Sequence, residues 1–142
     1  ISYSIVPGIT AASSAAAASG RSLTRRGRNS QLRLITGHDM VGYAEQDWRG
    51  LAKPGAVAAI YMGKTAARFI QGRLLMHGAD PRTPVSIIEN SSRADEVIRA
   101  APLNDRTEAL HAMSGPVVLL YGISPRTAAA QIFQNQEADL CL

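Results

Sequence analysis

The sequence predicts an α/β domain built on a mixed sheet of roughly five strands flanked by helices. Three observations carry that expectation. Short apolar runs of strand length, at residues 32–36, 56–62, 85–89 and 117–121, alternate with stretches that carry helical start and stop signals. Runs 85–89 and 96–100 are separated by the turn-rich Asn90-Ser91-Ser92, which predicts a hairpin and so an antiparallel pair within the sheet. Finally, 142 residues at 46% hydrophobic content suffice for one real core and are too few for two ordinary domains.

Residues 3–6 read as the end of a strand that runs into Pro7-Gly8-Ile9-Thr10. Pro7 fixes φ, Gly8 tolerates positive φ, and the Thr10 hydroxyl can cap the free N–H groups of a following helix. That helix, residues 10–19, holds nothing larger than Ser after Thr10, so another backbone or a flat ligand can approach it closely; Gly20 ends it. A basic loop follows, then strand 32–36, which stops at Thr36-Gly37-His38. Residues 39–46 read as a surface loop, and 47–52 as a short helix with Trp48 and Leu51 inward, ended by Lys53-Pro54-Gly55. The continuous apolar run 56–62 is the pattern of a strand buried on both faces, and it finishes at Tyr61-Met62-Gly63.

Thr65 is the expected N-cap of a second helix with Ala67, Ile70 and Leu74 as its inward stripe and His77-Gly78 at its end. After the hairpin, Pro102 marks a helix start, with residues 104–113 helical and Ser114-Gly115-Pro116 closing them. The last buried strand is 117–121. Residues 124–142 form a tail with one expected amphipathic turn around Ile132 and Phe133.

The net charge of +4 is unevenly placed. No Asp or Glu precedes Asp39, whereas Arg21, Arg25, Arg26, Arg28 and Arg33 all do; from Asp39 onward ten Lys and Arg face eleven Asp and Glu. Arginines without acidic neighbours repel one another, and the planar guanidinium suits carboxylate or phosphate, so an anionic partner is implied. Cys141, the single cysteine, excludes an intrachain disulfide and favours a reducing compartment. With no apolar run long enough to span a bilayer, a cytoplasmic location is expected. The chain opens on Ile1 in a strand-like run, which suggests that the front of a longer protein is missing.

Three strand ends carry polar or glycine-rich triplets, Thr36-Gly37-His38, Tyr61-Met62-Gly63 and Glu89-Asn90-Ser91, and one cleft is expected to collect them. His38, His77 and His111 lack partners at metal-ligand spacing, so no metal site is expected; His77 and His111 read as helix-surface residues. There is no nucleophile elbow, P-loop or dinucleotide fingerprint. A basic RNA-binding module is the reading from another class, and the absence of aromatic residues from the arginine cluster counts against it.

The run from Ser4 to Ser13, then Leu23-Thr24, Arg26, Arg33, Thr36-Gly37-His38, Asp47-Trp48, Tyr61-Met62-Gly63, His77-Gly78, Pro84-Val85, Glu89-Asn90 and Gly122, resembles in order and spacing the C-terminal half of the uroporphyrinogen-III C-methyltransferases, and of the methylase module of sirohaem synthases. The resemblance covers residues 4–122. It implies that residues 1–123 are the C-terminal domain of a tetrapyrrole methylase whose N-terminal domain is absent from this chain, with 124–142 as a tail. S-adenosyl-L-methionine would lie between the two domains, and its methyl would pass to C2 and then C7 of uroporphyrinogen III to give precorrin-2, in a homodimer; a related methylase acting on a later corrin precursor or on another substrate is the neighbouring alternative.

By position, the resemblance assigns cofactor contacts to Thr10, Ala11, Met62 and Ser91, and substrate contacts to Arg26 and Arg33; it assigns no catalytic acid or base. Ser91 stands where the family has glycine, so its side chain is expected to narrow the approach to the cofactor. The family's Leu-Thr-His-Arg-Asp run reads Leu23-Thr24-Arg25-Arg26-Gly27 here, losing a histidine and an acid. Eight carboxylates on uroporphyrinogen III suit an arginine cluster, and methyl transfer from a sulfonium to an electron-rich carbon asks mainly for positioning. Lacking the front domain, the 142-residue chain alone is expected to bind the cofactor weakly and to turn over negligibly.

Overall fold

The computed structural model describes residues 1–105, 109–110 and 113–126. Five strands form one sheet: β1 (Arg33–Thr36), β2 (Ala58–Tyr61), β3 (Pro84–Glu89), β4 (Val97–Pro102) and β5 (Val117–Tyr121), in the spatial order β1-β2-β5-β3-β4. β1 and β2 run parallel; β5 is antiparallel to both β2 and β3, and β4 is antiparallel to β3. The predicted mixed sheet and its hairpin are therefore present. One consequence positions the site: β1, β2 and β3 all point the same way, so their C-terminal ends lie along one edge of the sheet, together with the N-terminal end of β5.

Period-two alternation sorts each strand onto two cores. Ala58 and Ile60 of β2, Val85 and Ile87 of β3, and Leu119 and Tyr121 of β5 face one cluster, with Trp48 and Leu51 of α2 (Trp48–Leu51) and Ile70 and Leu74 of α3 (Ala67–Met76). Val57, Ala59, Ile88, Val118 and Leu120 face the other, covered by Ala12 and Ala15 of α1 (Ala11–Ala18). Alanine spacing explains why so short a helix suffices: with Ala15 fully buried and Ala12 at 1% exposure, the α1 backbone packs against β5 with no long side chain between. Ser19 caps the helix, and Gly20 follows at φ +61°, the left-handed turn that suits glycine.

Several expectations need correction. Residues 3–6 form no strand; Ile1, Tyr3, Ile5, Val6 and Ile9 are all exposed, because their alternation gives β-propensity but no sheet edge among the described residues pairs with them. Thr65 does not cap α3. Ala66 occupies that position without a side-chain bond, and the Thr65 hydroxyl instead meets His38 Nε2 at 2.7 Å. Pro102 is the last residue of β4, paired with Pro84, and not a helix start, since a proline without its N–H is tolerated at the end of an edge strand. Of the helix expected over residues 104–113, Asn104 and Asp105 lie in a turn and residues 109–110 are helical; 106–108 and 111–112, His111 among them, lie outside the described residues. So do the amphipathic turn expected at Ile132 and Phe133, and Cys141. No helix among the described residues is long and apolar enough to cross a membrane.

Candidate functional site

The site is built from the start of α1 and the ends of β2 and β3. Thr10 is extended (φ −73°, ψ 153°) and its hydroxyl accepts from the Ser13 N–H at 3.3 Å, while its carbonyl accepts from Ser14 N at 3.1 Å. The Ala12 N–H donates to the Tyr61 hydroxyl at 3.3 Å, which ties the helix start to the last residue of β2. Cap and tyrosine together satisfy two of the donors that a helix start otherwise leaves open.

At the end of β3, Glu89 is buried and its carboxylate accepts from the N–H groups of Ser114 (2.6 Å) and Gly115. Asn90 follows, donating through Nδ2 to Asp95 Oδ2 at 2.7 Å. Ser91 and Ser92 both bond the Ser14 hydroxyl of α1, Ser91 at 2.8 Å.

Between these parts lies a cleft of about 360 Å³ lined by Ala11, Tyr61 and Met62, by Ile88, Asn90, Ser91 and Arg93, and by Pro116 with the first two residues of β5, Val117 and Val118. Its walls are mostly apolar, and among the described residues Arg93 is the one charged group on them. The volume falls at the lower end of the range of cofactor clefts. Backbone strain collects here as well. Met62, Asn90 and Ser92 (φ 51°, 52° and 66°) are the non-glycine residues with positive φ among those described, and Met62 and Asn90 line the cleft while Ser92 adjoins it. Each such residue costs on the order of 1–3 kcal/mol and persists where a site over-determines it.

Ala11, Met62 and Ser91 are thus brought onto one cleft, with Thr10 capping the helix immediately before Ala11. The third triplet is not on the lining. Thr36-Gly37-His38 sits at the same sheet edge and braces Met62 from beside: Gly37 N donates to Tyr61 O at 2.7 Å, and a Cβ on Gly37 would stand 2.8 Å from the Met62 carbonyl oxygen. The expectation that Ser91 narrows the cleft is modified by its bond to Ser14, which engages the hydroxyl on α1. Asn90 is on the lining as its triplet predicted, whereas Arg93 and the Pro116-Val117-Val118 edge were not foreseen. The last is invisible in sequence because only the sheet order inserts β5 between β2 and β3.

The arginine cluster divides in two. Arg21 Nε donates to Ser124 O, and Arg28 is spent on the carbonyls of Ser22 and Leu23 and on Asn29 Oδ1. Burial, with Arg25 and Arg21 nearby, lowers the pKa of Arg28 from its ordinary value. Arg33 pairs with Asp47 at 3.1 Å and also reaches the Asp47 carbonyl, anchoring the N-cap of α2, whose Asp47 carboxylate accepts from Gly50 N. That backbone bond first, and Arg33 second, hold the Asp47 carboxyl below its usual range. Arg25 and Arg26 remain exposed on a loop, residues 24–30, that encloses a hollow of about 520 Å³. Arg26 and Arg33 therefore lie on different hollows, the second lined by Arg28, Arg33, Asp47 and Lys53 among others, and neither is on the cleft.

A profile of the family described as Tetrapyrrole (Corrin/Porphyrin) Methylases matches residues 1–107. The chain belongs to this family. Among its relatives, the siroheme synthase of Pseudoalteromonas translucida is 38% identical over 124 residues, 86% of this chain and 26% of that protein. The siroheme synthase of Escherichia coli O139:H28 is 38% identical over 122 residues with the same coverage. The crystal structure of uroporphyrin-III C-methyl transferase from Thermus thermophilus complexed with S-adenyl homocysteine superposes with a TM-score of 0.67 at 29% identity, covering 83% of this chain and 51% of that one. A cobalt precorrin-4 methyltransferase shares the fold at a TM-score of 0.75 and 24% identity. The chain thus spans about a quarter of the siroheme synthases, at 26%, and about half of the methyltransferase, at 51%. As a tetrapyrrole methylase domain, its cleft lies at the sheet edge where three strands end together, as ligand sites of open α/β sheets do.

Proposed function

We propose that this domain is the C-terminal part of an S-adenosylmethionine-dependent methyltransferase that methylates uroporphyrinogen III at C2 and C7 to give precorrin-2. The observation that supports this most is convergence: Ala11, Met62 and Ser91, assigned to the cofactor by position alone, line one mostly apolar cleft whose rim is backbone-strained. Residues 1–123 are read as the C-terminal domain, with the cleft completed by a domain that precedes it and the whole assembled as a homodimer.

The donor set fits the cofactor. Tyr61, Met62, Ile88, Val117 and Val118 offer the apolar walls that a flat heterocycle and a thioether take, and Ala11 leaves the helix backbone approachable. When bound, S-adenosylmethionine supplies a methyl group on a sulfonium, which an electron-rich carbon can displace. The chain's own residues hold that geometry and exclude water, and no acid or base on the cleft lining is needed for the displacement. Arg26 is the freer of the two arginines assigned to substrate; Arg33 would use donors left over from its pair with Asp47.

Two substitutions in the polypeptide that carries this chain test the reading. Ala11→Trp, which fills the cleft from the helix side, should abolish S-adenosylhomocysteine binding measured by titration calorimetry. Arg26→Gln should raise the KM for uroporphyrinogen III about ten- to a hundredfold with little change in stability, since a charged hydrogen bond contributes on the order of 1.5–3 kcal/mol. Undiminished binding in Ala11→Trp, or no methylated product absorbance from uroporphyrinogen III with the wild-type protein, would refute it.

A further inference from the structure

We infer that Ser14 is a positioning residue of the cofactor cleft, stapling its helix wall to its strand-end wall through the hydroxyls of Ser91 and Ser92. The inference rests on the reading of the cleft given above and goes beyond it, because Ser14 lies outside the lining and outside every strand-end triplet.

Ser14 stands three residues after Ala11, one turn along α1, on the side of the helix that faces the β3 end. Its half-buried hydroxyl meets Ser91 Oγ at 2.8 Å and also bonds Ser92 Oγ. Those two serines follow Asn90 on a backbone that is left-handed at Asn90 and again at Ser92. Such a bend is unfavourable for residues with a Cβ and relaxes unless something outside it holds it. From within, the Ser92 N–H donates to Glu96 Oε2 at 2.8 Å, and Asn90 Nδ2 to Asp95. Ser14 is the hold from the opposite wall.

Hydroxyl accounting leaves one proton of the three free. Three hydroxyls carry three protons, and the two bonds at Ser14 use two. If Ser92 donates to Ser14 and Ser14 to Ser91, the third proton is on Ser91, which lines the cleft, and can be offered to an acceptor there. A glycine at 91 would give neither that donor nor the bond to Ser14. Ser91 is therefore a paired feature of this chain: the side chain is tolerated beside the cofactor because Ser14 takes its oxygen.

The test uses the polypeptide that carries the chain and two readouts, S-adenosylhomocysteine affinity and amide hydrogen exchange at residues 90–92. Ser14→Ala should weaken binding about three- to tenfold, the range for one or two modest hydrogen bonds, and should accelerate exchange at 90–92. Ser14→Ala combined with Ser91→Ala should cost less than the sum of the two single changes, because both remove the same bond. Ser13→Ala, on the exposed face of the same helix, should move neither readout and so separates the staple from a general effect on α1. Wild-type binding with unchanged affinity and exchange in Ser14→Ala overturns the inference. Failure of the wild-type protein to bind S-adenosylhomocysteine overturns the cofactor reading instead, and in that case unaltered exchange in Ser14→Ala removes the staple as well.

Discussion

Adding one methyl group to Gly37 should loosen the whole upper edge of the sheet, whereas adding the same group to Gly72 should tighten the protein. A Cβ on Gly37 would lie 2.8 Å from the Met62 carbonyl oxygen, 3.0 Å from Ala66 Cβ and 3.2 Å from Gly63 Cα. Two of those three neighbours are backbone, so none can swing aside as a flexible side chain would. Gly37 is buried, its N–H is bonded to Tyr61 O at 2.7 Å, and its carbonyl accepts from Ala44 at 3.2 Å, so it cannot retreat either. Overpacking of this kind costs about 1–3 kcal/mol. At Gly72, in the interior of α3, nothing lies within 4 Å of the added Cβ, and replacing a helical glycine by alanine stabilises by about 0.5–1 kcal/mol.

Urea unfolding of this chain, monitored by far-ultraviolet circular dichroism, should therefore show midpoint shifts of opposite sign for Gly37→Ala and Gly72→Ala at similar m-values. Because the displaced atom belongs to Met62, Gly37→Ala should also weaken S-adenosylhomocysteine binding in the polypeptide that carries the chain, and Gly72→Ala should not. Shifts of equal sign and size, or an unchanged affinity in a folded Gly37→Ala protein, would refute the argument that Gly37 braces the cleft.

Tyr61→Phe removes the acceptor for the Ala12 N–H, whose residue is 1% exposed, while keeping the ring; a loss of about 1 kcal/mol is expected in the same denaturation assay, and an unshifted midpoint would mean that the N–H finds another partner. Asp47 should give a pH-dependent signature. Its pKa is lowered in the folded state, chiefly by the Gly50 N–H and then by Arg33, so its contribution is present at neutral pH, above the unfolded value, and is lost as pH falls through the folded value. The stability difference between the wild type and Asp47→Asn should accordingly shrink on acidification below the usual carboxylate range. A difference that stays flat from neutral pH into strong acid would show that the charge contributes nothing to the cap.

Much of this domain was legible in the sequence because local chemistry specified it. Thr10 caps α1 through a short-range bond that needs only a neighbour three residues away, and the short helix read over 47–52 is present as α2. The buried runs of β2, β3 and β5 announced themselves by continuous hydrophobicity, and the hairpin of β3 and β4 by the turn between them. Where the reading erred, the deciding partner was distant. The apolar alternation of residues 3–6 has no strand beside it among the described residues; Thr65 gave its hydroxyl to His38 in preference to a helix; and Pro102 stayed in the sheet opposite Pro84.

The site shows the same division. Sequence by itself determined which residue types were on offer: a capped helix of small residues, a Tyr-Met-Gly strand end, a serine where the family has glycine, and an arginine cluster with no acids near it in the chain. Only the tertiary structure decided how they are used. Sheet order places β5 between β2 and β3, so that Ala11, Met62 and Ser91 share a cleft while Thr36-Gly37-His38 supports it from outside. Chain packing gives Arg21, Arg28 and Arg33 to carbonyls and to Asp47, leaving Arg25 and Arg26 on the surface. The physical reason is the range of the forces involved. Caps and turns are closed by groups a few residues apart, whereas the partner of a hydroxyl, a guanidinium or a strand edge is set by whichever distant segment the fold brings within about 3 Å of it.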